Sequence, residues 1–141
     1  MRNLLVYLLL TFASTLVASE INWAKDFKAG IKEASRFNKP VLFISSRHTC
    51  RYCVILDNTT LKNKKVIDSL NKDFTSIISY SDENDYMPKE LYQPGTPAIW
   101  FLLPSGEPMY QPIMGAIGAK DFLEALSTVK KEFDDSKKIG K

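Results

Sequence analysis

Apolar residues recur along the chain with two different periods, and each change of period marks a new element. Trp23, Phe27, Ile31, Ala34 and Phe37 follow one another at steps of four, four, three and three, with Lys25, Lys28, Lys32 and Glu33 between them. That spacing places the apolar side chains on one stripe and predicts an amphipathic helix. Asn38-Lys39-Pro40 is expected to end it, because proline lacks an N–H and pushes the residue before it toward extended geometry. Val41-Leu42-Phe43-Ile44 then runs without polar alternation, the pattern of a strand covered on both faces.

After the polar break Ser45-Ser46-Arg47-His48-Thr49, the segment Cys50-Arg51-Tyr52-Cys53-Val54-Ile55-Leu56 reads as a helix start. Turn chemistry at Asp57-Asn58-Thr59-Thr60 makes that helix short or kinked. Asn63 can cap a further helix with Val66, Ile67 and Leu70 on its apolar face, and Phe74 to Tyr80 reads as a strand. Pro88-Lys89-Glu90-Leu91-Tyr92 suits one helical turn with proline at its first position. Ala98-Ile99-Trp100-Phe101-Leu102-Leu103 is a second fully apolar strand. The turn Pro104-Ser105-Gly106-Glu107-Pro108 leads from it into Met109 to Met114, a hairpin whose Pro112 confines the returning strand to an edge or a bulge. Gly115 and Gly118 precede a last helix with Phe122, Leu126, Val129 and Phe133 on its buried stripe. The polar tail from Asp134 to Lys141 is expected to fray. A strand, helical crossover, strand unit followed by a hairpin and a closing helix makes an α/β fold, a mixed central sheet with helices on both faces.

Composition narrows the classes of function. The chain has 141 residues, 45% of them hydrophobic, which excludes disorder and suffices for a core without disulfide or metal staples. Residues 1–19 read as a secretory signal peptide: Arg2 opens it, Leu4 to Leu10 form its apolar centre, and Val17-Ala18-Ser19 supply small residues before Glu20. The alternative, an uncleaved anchor, has a short apolar run broken by Thr11, Ser14 and Thr15 against the roughly 20 residues that span a bilayer. Cleavage leaves residues 20–141 as one domain, with 18 basic against 16 acidic side chains and a net charge of +2. So small an excess gives no electrostatic case for nucleic acid. A periplasmic or secreted location exposes thiols to oxidising conditions.

Both cysteines lie in Cys50-Arg51-Tyr52-Cys53, directly after the buried strand and at the expected helix start. Unpaired backbone donors and the helix dipole favour the Cys50 thiolate there. Arg51, Tyr52 and His48 are the neighbours expected to tune the pair. Cys53, one turn on, is expected beneath Cys50, as suits a thiol that resolves a mixed disulfide. Three other readings compete. A structural disulfide would close a loop of four residues, worth roughly 2 kcal/mol in the chain-entropy model, a poor staple for a chain that already has a core. Haem attachment needs histidine after the second cysteine, where Val54 stands. His48, Cys50 and Cys53 together offer an imidazole and two thiolates to a soft ion such as Cu(I), as a copper-binding or metallochaperone module would.

A second constellation, Gln93-Pro94-Gly95-Thr96-Pro97, stands just before the second apolar strand. Proline is tolerated at the first residue of a strand, and the bond before it takes the cis form at little cost.

Lys39-Pro40-Val41-Leu42-Phe43, Cys50-Arg51-Tyr52-Cys53, Gly95-Thr96-Pro97, Pro104-Ser105-Gly106 and the glycine before the final helix, taken in this order, resemble the secreted or periplasmic branch of the thioredoxin-like thiol:disulfide oxidoreductases over Trp23 to Phe133. The resemblance implies a thioredoxin-like fold, Cys50 as attacking thiolate, Cys53 as resolving thiol, a cis Pro97 beside them, and Thr96 offering its backbone to a substrate strand. It also implies disulfide-containing protein substrates, apocytochromes among them, a membrane thiol-relay reductase as electron donor, a monomer, and neither cofactor nor metal. Two departures stand out. Cytosolic thioredoxins carry an aromatic residue before the first cysteine and a buried acid on the preceding strand, where this chain has Thr49 and Ile44. Proton transfer to Cys53 then falls to water, His48 or Glu90. Without the large helical insertion of the periplasmic oxidases or the dimerisation domain of the isomerases, the expectation is a small reductase.

Overall fold

The computed structural model describes residues 20–139; the signal segment read over 1–19 lies outside the described residues. The elements run α1 (Phe27–Phe37), β1 (Val41–Ser46), α2 (Arg51–Asn58), α3 (Lys64–Asp73), β2 (Thr75–Tyr80), β3 (Ala98–Leu102), β4 (Ile113–Met114) and α4 (Ala119–Ile139), with a 3-10 turn at Thr60–Lys62 and another at Lys89–Leu91. The four strands form one mixed sheet in the order β2-β1-β3-β4. β1 lies parallel to β2, and β3 is antiparallel to both β1 and β4.

Alternation within the two apolar runs divides the core. Val41 and Phe43 of β1 with Ala98, Trp100 and Leu102 of β3 face α1, where Phe27 and Ala34 cover them. Leu42 and Ile44 with Ile99 and Phe101 face α3 and α4, where Val66, Leu70, Phe122 and Leu126 do the same. A strand sandwiched in this way has no solvent side on which a polar residue would be tolerated, which is why both runs lack alternation. α1 sits close against the sheet at Gly30: a β-carbon there would lie 2.4 Å from Cδ1 of the fully buried Ile77.

The apolar stripe of α1 is shorter than its spacing suggests. The helix starts at Phe27, with the Asp26 carboxylate capping the Ala29 N–H, while Trp23 lies before it in an isolated parallel bridge to Ser76. Phe37 is exposed beneath the Arg36 guanidinium, and Asn38 ends the helix in the left-handed region at φ 49°. The hairpin is also shorter. Pro112 has no N–H to give a ladder, and pairing is confined to Ile113–Met114 at the sheet edge plus a bridge between Leu102 and Pro108. α4 runs on through Asp134 as far as Ile139. Ion pairs of Lys130 with Asp134 and of Lys131 and Lys138 with Asp135 lace its last turns, and Lys137 donates to the Asn38 carbonyl at 2.9 Å while lying over the Phe133 ring.

Asn63 caps α3 through one side-chain oxygen that accepts from both the Lys65 and Val66 N–H groups. Asn63→Ala leaves those donors without the side chain and should lower stability by about 1 kcal/mol. Urea unfolding measures it, and an unchanged midpoint would show that water replaces the cap at no cost.

Candidate active site

The antiparallel register of β1 and β3 assembles the site. Ser45 pairs with Ala98, so the chain leaving β1 toward α2 lies beside the chain entering β3. After Ser46 the backbone turns, with the Cys50 N–H donating to the Arg47 carbonyl at 3.3 Å, and Cys50 becomes the N-cap of α2. Its sulfur accepts the Cys53 N–H at 3.2 Å, taking the part a serine or aspartate oxygen plays at other helix starts. Cys50 is partly exposed and Cys53 is buried beneath it; both are free thiols.

From the other side, the Thr96 carbonyl accepts the Cys50 thiol at 3.3 Å. The Thr96–Pro97 peptide is cis, and the Pro97 carbonyl accepts the Gly115 N–H at 2.9 Å. Gly115 has φ +89°, a conformation that glycine adopts without a side-chain penalty. The Ile117 carbonyl in the same loop accepts the Thr60 hydroxyl at 2.6 Å, tying it to the turn after α2. Cys50, Thr96 and Pro97 thus meet in one place, while Arg51 and Tyr52 are exposed on the first turn of α2.

The two sulfurs are driven apart in acidity. Partial burial works against the Cys50 thiolate, but hydrogen bonds from the Cys53 and Thr96 side chains and from the Cys53 and Tyr52 backbones outweigh it, and the Cys50 pKa falls below its ordinary value. Burial, helped by the hydrogen bond to Cys50, pushes the Cys53 thiol up, with Ser46, Thr96 and the Arg47 backbone opposing. One accessible sulfur favours the thiolate and one buried sulfur keeps its proton.

His48 does not join them. Its N–H donates to the Asp82 carboxylate at 2.8 Å, Nδ1 stands 3.3 Å from Asp82 Oδ1, Nε2 stands 3.4 Å from Glu83 Oε1, and the ring stacks on Tyr80 with centroids 3.9 Å apart. The copper-site reading needs that imidazole beside both thiols. Both ring nitrogens instead face carboxylates, and among the described residues no group of three or more His, Cys, Asp or Glu side chains is placed to hold a metal ion. Glu90 is exposed on the 3-10 turn before β3.

Reading Asp57 as a turn residue hides it. The structure places it inside α2, half-buried and one turn after Cys53, in a cleft that it shares with Trp23, Lys62 and Tyr80. Its four-residue spacing from Cys53 is the signal that finds it. Ser46, fully buried at the end of β1 and touching Cys53, carries no comparable signal.

The sequence matches the thioredoxin-like domain over residues 27–130. The chain belongs to that family. On that fold it carries the Cys50-Arg51-Tyr52-Cys53 pair as two free thiols. Mouse (Mus musculus) anterior gradient protein 3 is 28% identical over 88 residues, which make up 61% of this chain. The chain spans about half of that relative's length, 52%. The fold is similar to that of a thioredoxin from Thermus thermophilus, with TM-score 0.65, 21% identity and coverage of 79% of this chain and 88% of the other. It is similar also to the reduced C-terminal domain of Neisseria meningitidis DsbD, with TM-score 0.58, 23% identity and coverage of 72% and 91%. A protein described as DsbH oxidoreductase gives TM-score 0.63 at 13% identity, over 86% and 92%.

The opposed acidities have a direct readout. In the reduced protein, iodoacetamide should label Cys50 before Cys53, with a rate that rises with pH and levels off above a midpoint lower than the roughly 8.5 of a free thiol. Peptide mapping that finds Cys53 labelled first would reverse the assignment.

Proposed function

We propose that the protein reduces disulfides in other proteins outside the cytosol, and that Cys50 attacks while Cys53 resolves. The observation that carries this reading is the Cys50 sulfur, partly exposed, 3.2 Å from the Cys53 N–H and 3.3 Å from the Thr96 carbonyl. A substrate disulfide approaching that sulfur meets the backbone of Thr96 at the same moment. The Cys50 thiolate attacks one substrate sulfur, a mixed disulfide forms, and the other substrate sulfur leaves as a thiolate that takes up a proton. Cys53 then gives up its proton and attacks the Cys50 sulfur. The second substrate thiol leaves, and a Cys50–Cys53 disulfide remains. Two electrons have passed from the dithiol to the substrate.

Returning the pair to the dithiol takes two electrons from a donor with an exposed dithiol of its own, for which a membrane thiol-relay reductase is the proposed source. The apolar centre of residues 4–10 supports a site of action beyond the membrane. Secreted proteins acquiring disulfides, apocytochromes among them, are the proposed substrates, and the proposed working form is a monomer.

Direction of electron flow rests on the stability of the dithiol. Ionisation of Cys50 stabilises the reduced form and makes the pair more oxidising, whereas the raised Cys53 adds no such stabilisation. Equilibration with glutathione buffers should give a reduction potential near the roughly −270 mV of thioredoxin. A value near about −120 mV would make the protein an oxidant and overturn the reductase reading.

A further inference from the structure

Parallel pairing of β1 with β2 brings the ends of both strands out at one edge of the sheet, with Ser46 opposite Tyr80. Two turns leave that edge side by side. One, Arg47-His48-Thr49, is exposed and leads to Cys50; the other is a 3-10 turn over Ser81–Glu83. The second is anchored at both ends. The Asp85 carboxylate accepts the Tyr80 N–H at 2.9 Å, the Asp85 N–H donates to the Tyr80 carbonyl at 3.2 Å, and Asn84 closes the turn in the left-handed region at φ 59°. From this turn Asp82 reaches across to the first: one carboxylate oxygen accepts the His48 backbone N–H at 2.8 Å, and the other stands 3.3 Å from His48 Nδ1. Beside them the Ser81 hydroxyl donates to the Ser46 carbonyl at 3.5 Å. The residue before His48 touches both cysteines. The Arg47 backbone bonds the Cys53 sulfur, and the Arg47 carbonyl accepts the Cys50 N–H.

We propose that Asp82 is a positioning residue for the redox pair: by gripping the His48 backbone N–H it fixes the turn that sets Cys50 at the start of α2. The inference rests on the reading of Cys50 as the attacking thiolate. Cys50 sits at φ −83° and ψ 121°, outside helical geometry, and in that place its sulfur receives the Cys53 N–H at 3.2 Å and faces the Thr96 carbonyl. Hydrogen bonds to a thiolate favour it, so a turn that lets Cys50 drift gives up part of the ionised form. A carboxylate suits the task, because an acceptor with a full charge holds an N–H more strongly than a neutral oxygen does. Desolvation works against the Asp82 carboxylate, but the His48 backbone N–H, the His48 ring and the backbone of Asp82 itself outweigh it, and the carboxyl lies below the usual carboxylate range. The grip is therefore in place at neutral pH. Its charge alone acts the other way, since a negative group near a thiolate disfavours it. The titratable groups around Asp82 are His48 from the facing turn, Glu83 from its own turn and Tyr80 from β2; Asp57 on α2 is close enough to feel His48.

Geometry and charge therefore predict opposite shifts, and three variants separate them. Iodoacetamide labelling of Cys50 is followed against pH in the reduced protein. Asp82→Ala cuts the grip and should raise the Cys50 midpoint by about half a pH unit or more, toward the roughly 8.5 of a free thiol. Asp82→Asn keeps an oxygen for the His48 N–H, and Glu83→Ala removes a neighbouring charge without touching that bond. Neither should raise the midpoint. The reduction potential of Asp82→Ala should become more negative, because a less stable thiolate makes a less stable dithiol. The unsubstituted protein supplies a check that needs no variant: the His48 amide, although its turn is exposed, should exchange with deuterium about tenfold or more slowly than an unprotected amide, as suits a bond to a charged acceptor. A Cys50 midpoint that stays or falls in Asp82→Ala, an equal rise in Asp82→Asn or Glu83→Ala, or an unprotected His48 amide would overturn the role of Asp82. Labelling of Cys53 before Cys50 in the unsubstituted protein would instead overturn the reading of Cys50 on which the inference rests.

Discussion

The site depends on one register. Because β1 and β3 pair antiparallel with Ser45 opposite Ala98, the end of one strand and the beginning of the other emerge at the same edge of the sheet. Two chain segments then meet that are more than forty residues apart in sequence: the start of α2 at Cys50, and the loop that brings Thr96 and Pro97 into β3. Their meeting point is the Cys50 sulfur, which accepts a backbone N–H from its own helix and donates to the Thr96 carbonyl across the gap. Sliding β3 by one residue would turn Ile99 and Phe101 to the opposite face of the sheet and expel them from the core they share with Leu42 and Ile44. Core packing and site geometry are therefore fixed by the same pairing.

Position in the helix sorts the two cysteines. Cys50, as N-cap, is exposed to the unpaired donors of the first turn; Cys53 lies on the face of α2 that packs into the protein, where nothing but a short list of polar neighbours relieves its burial. An exchange reaction needs one sulfur that is ionised before the substrate arrives and another that becomes so only afterwards. The same spacing that makes a turn of helix supplies both. The cost of that arrangement is a buried proton on Cys53.

Much of the fold was legible because burial on both faces writes itself directly into composition. Val41 to Ile44 and Ala98 to Leu102 need no partner to be read as covered strands, and the Asn63 cap and the paired cysteines are local signals. Local pattern and structure part where a distant contact decides the outcome. Trp23 keeps helical spacing with Phe27, yet it is held by a bridge to Ser76, and no local pattern distinguishes the two roles. Phe37 keeps the same spacing but falls at the last turn before Asn38, where the sheet no longer covers it. The contacts at the polar end of α4 are ion pairs and a hydrogen bond to Asn38, 99 residues away, which no local apolar pattern announces. His48 looked available to the thiols from its place in the chain; only the fold shows Asp82 and Glu83 beside it.

Covalent trapping tests most directly the proposed division of duties between two sulfurs in one helical turn. Each cysteine is replaced by serine in turn, the variant is exposed to a disulfide-containing protein, and covalent adducts are separated without reductant. Cys53→Ser should accumulate a mixed disulfide through Cys50, and Cys50→Ser should accumulate none because the remaining sulfur is buried and holds its proton. Equal trapping by both variants, or trapping by Cys50→Ser alone, would contradict it.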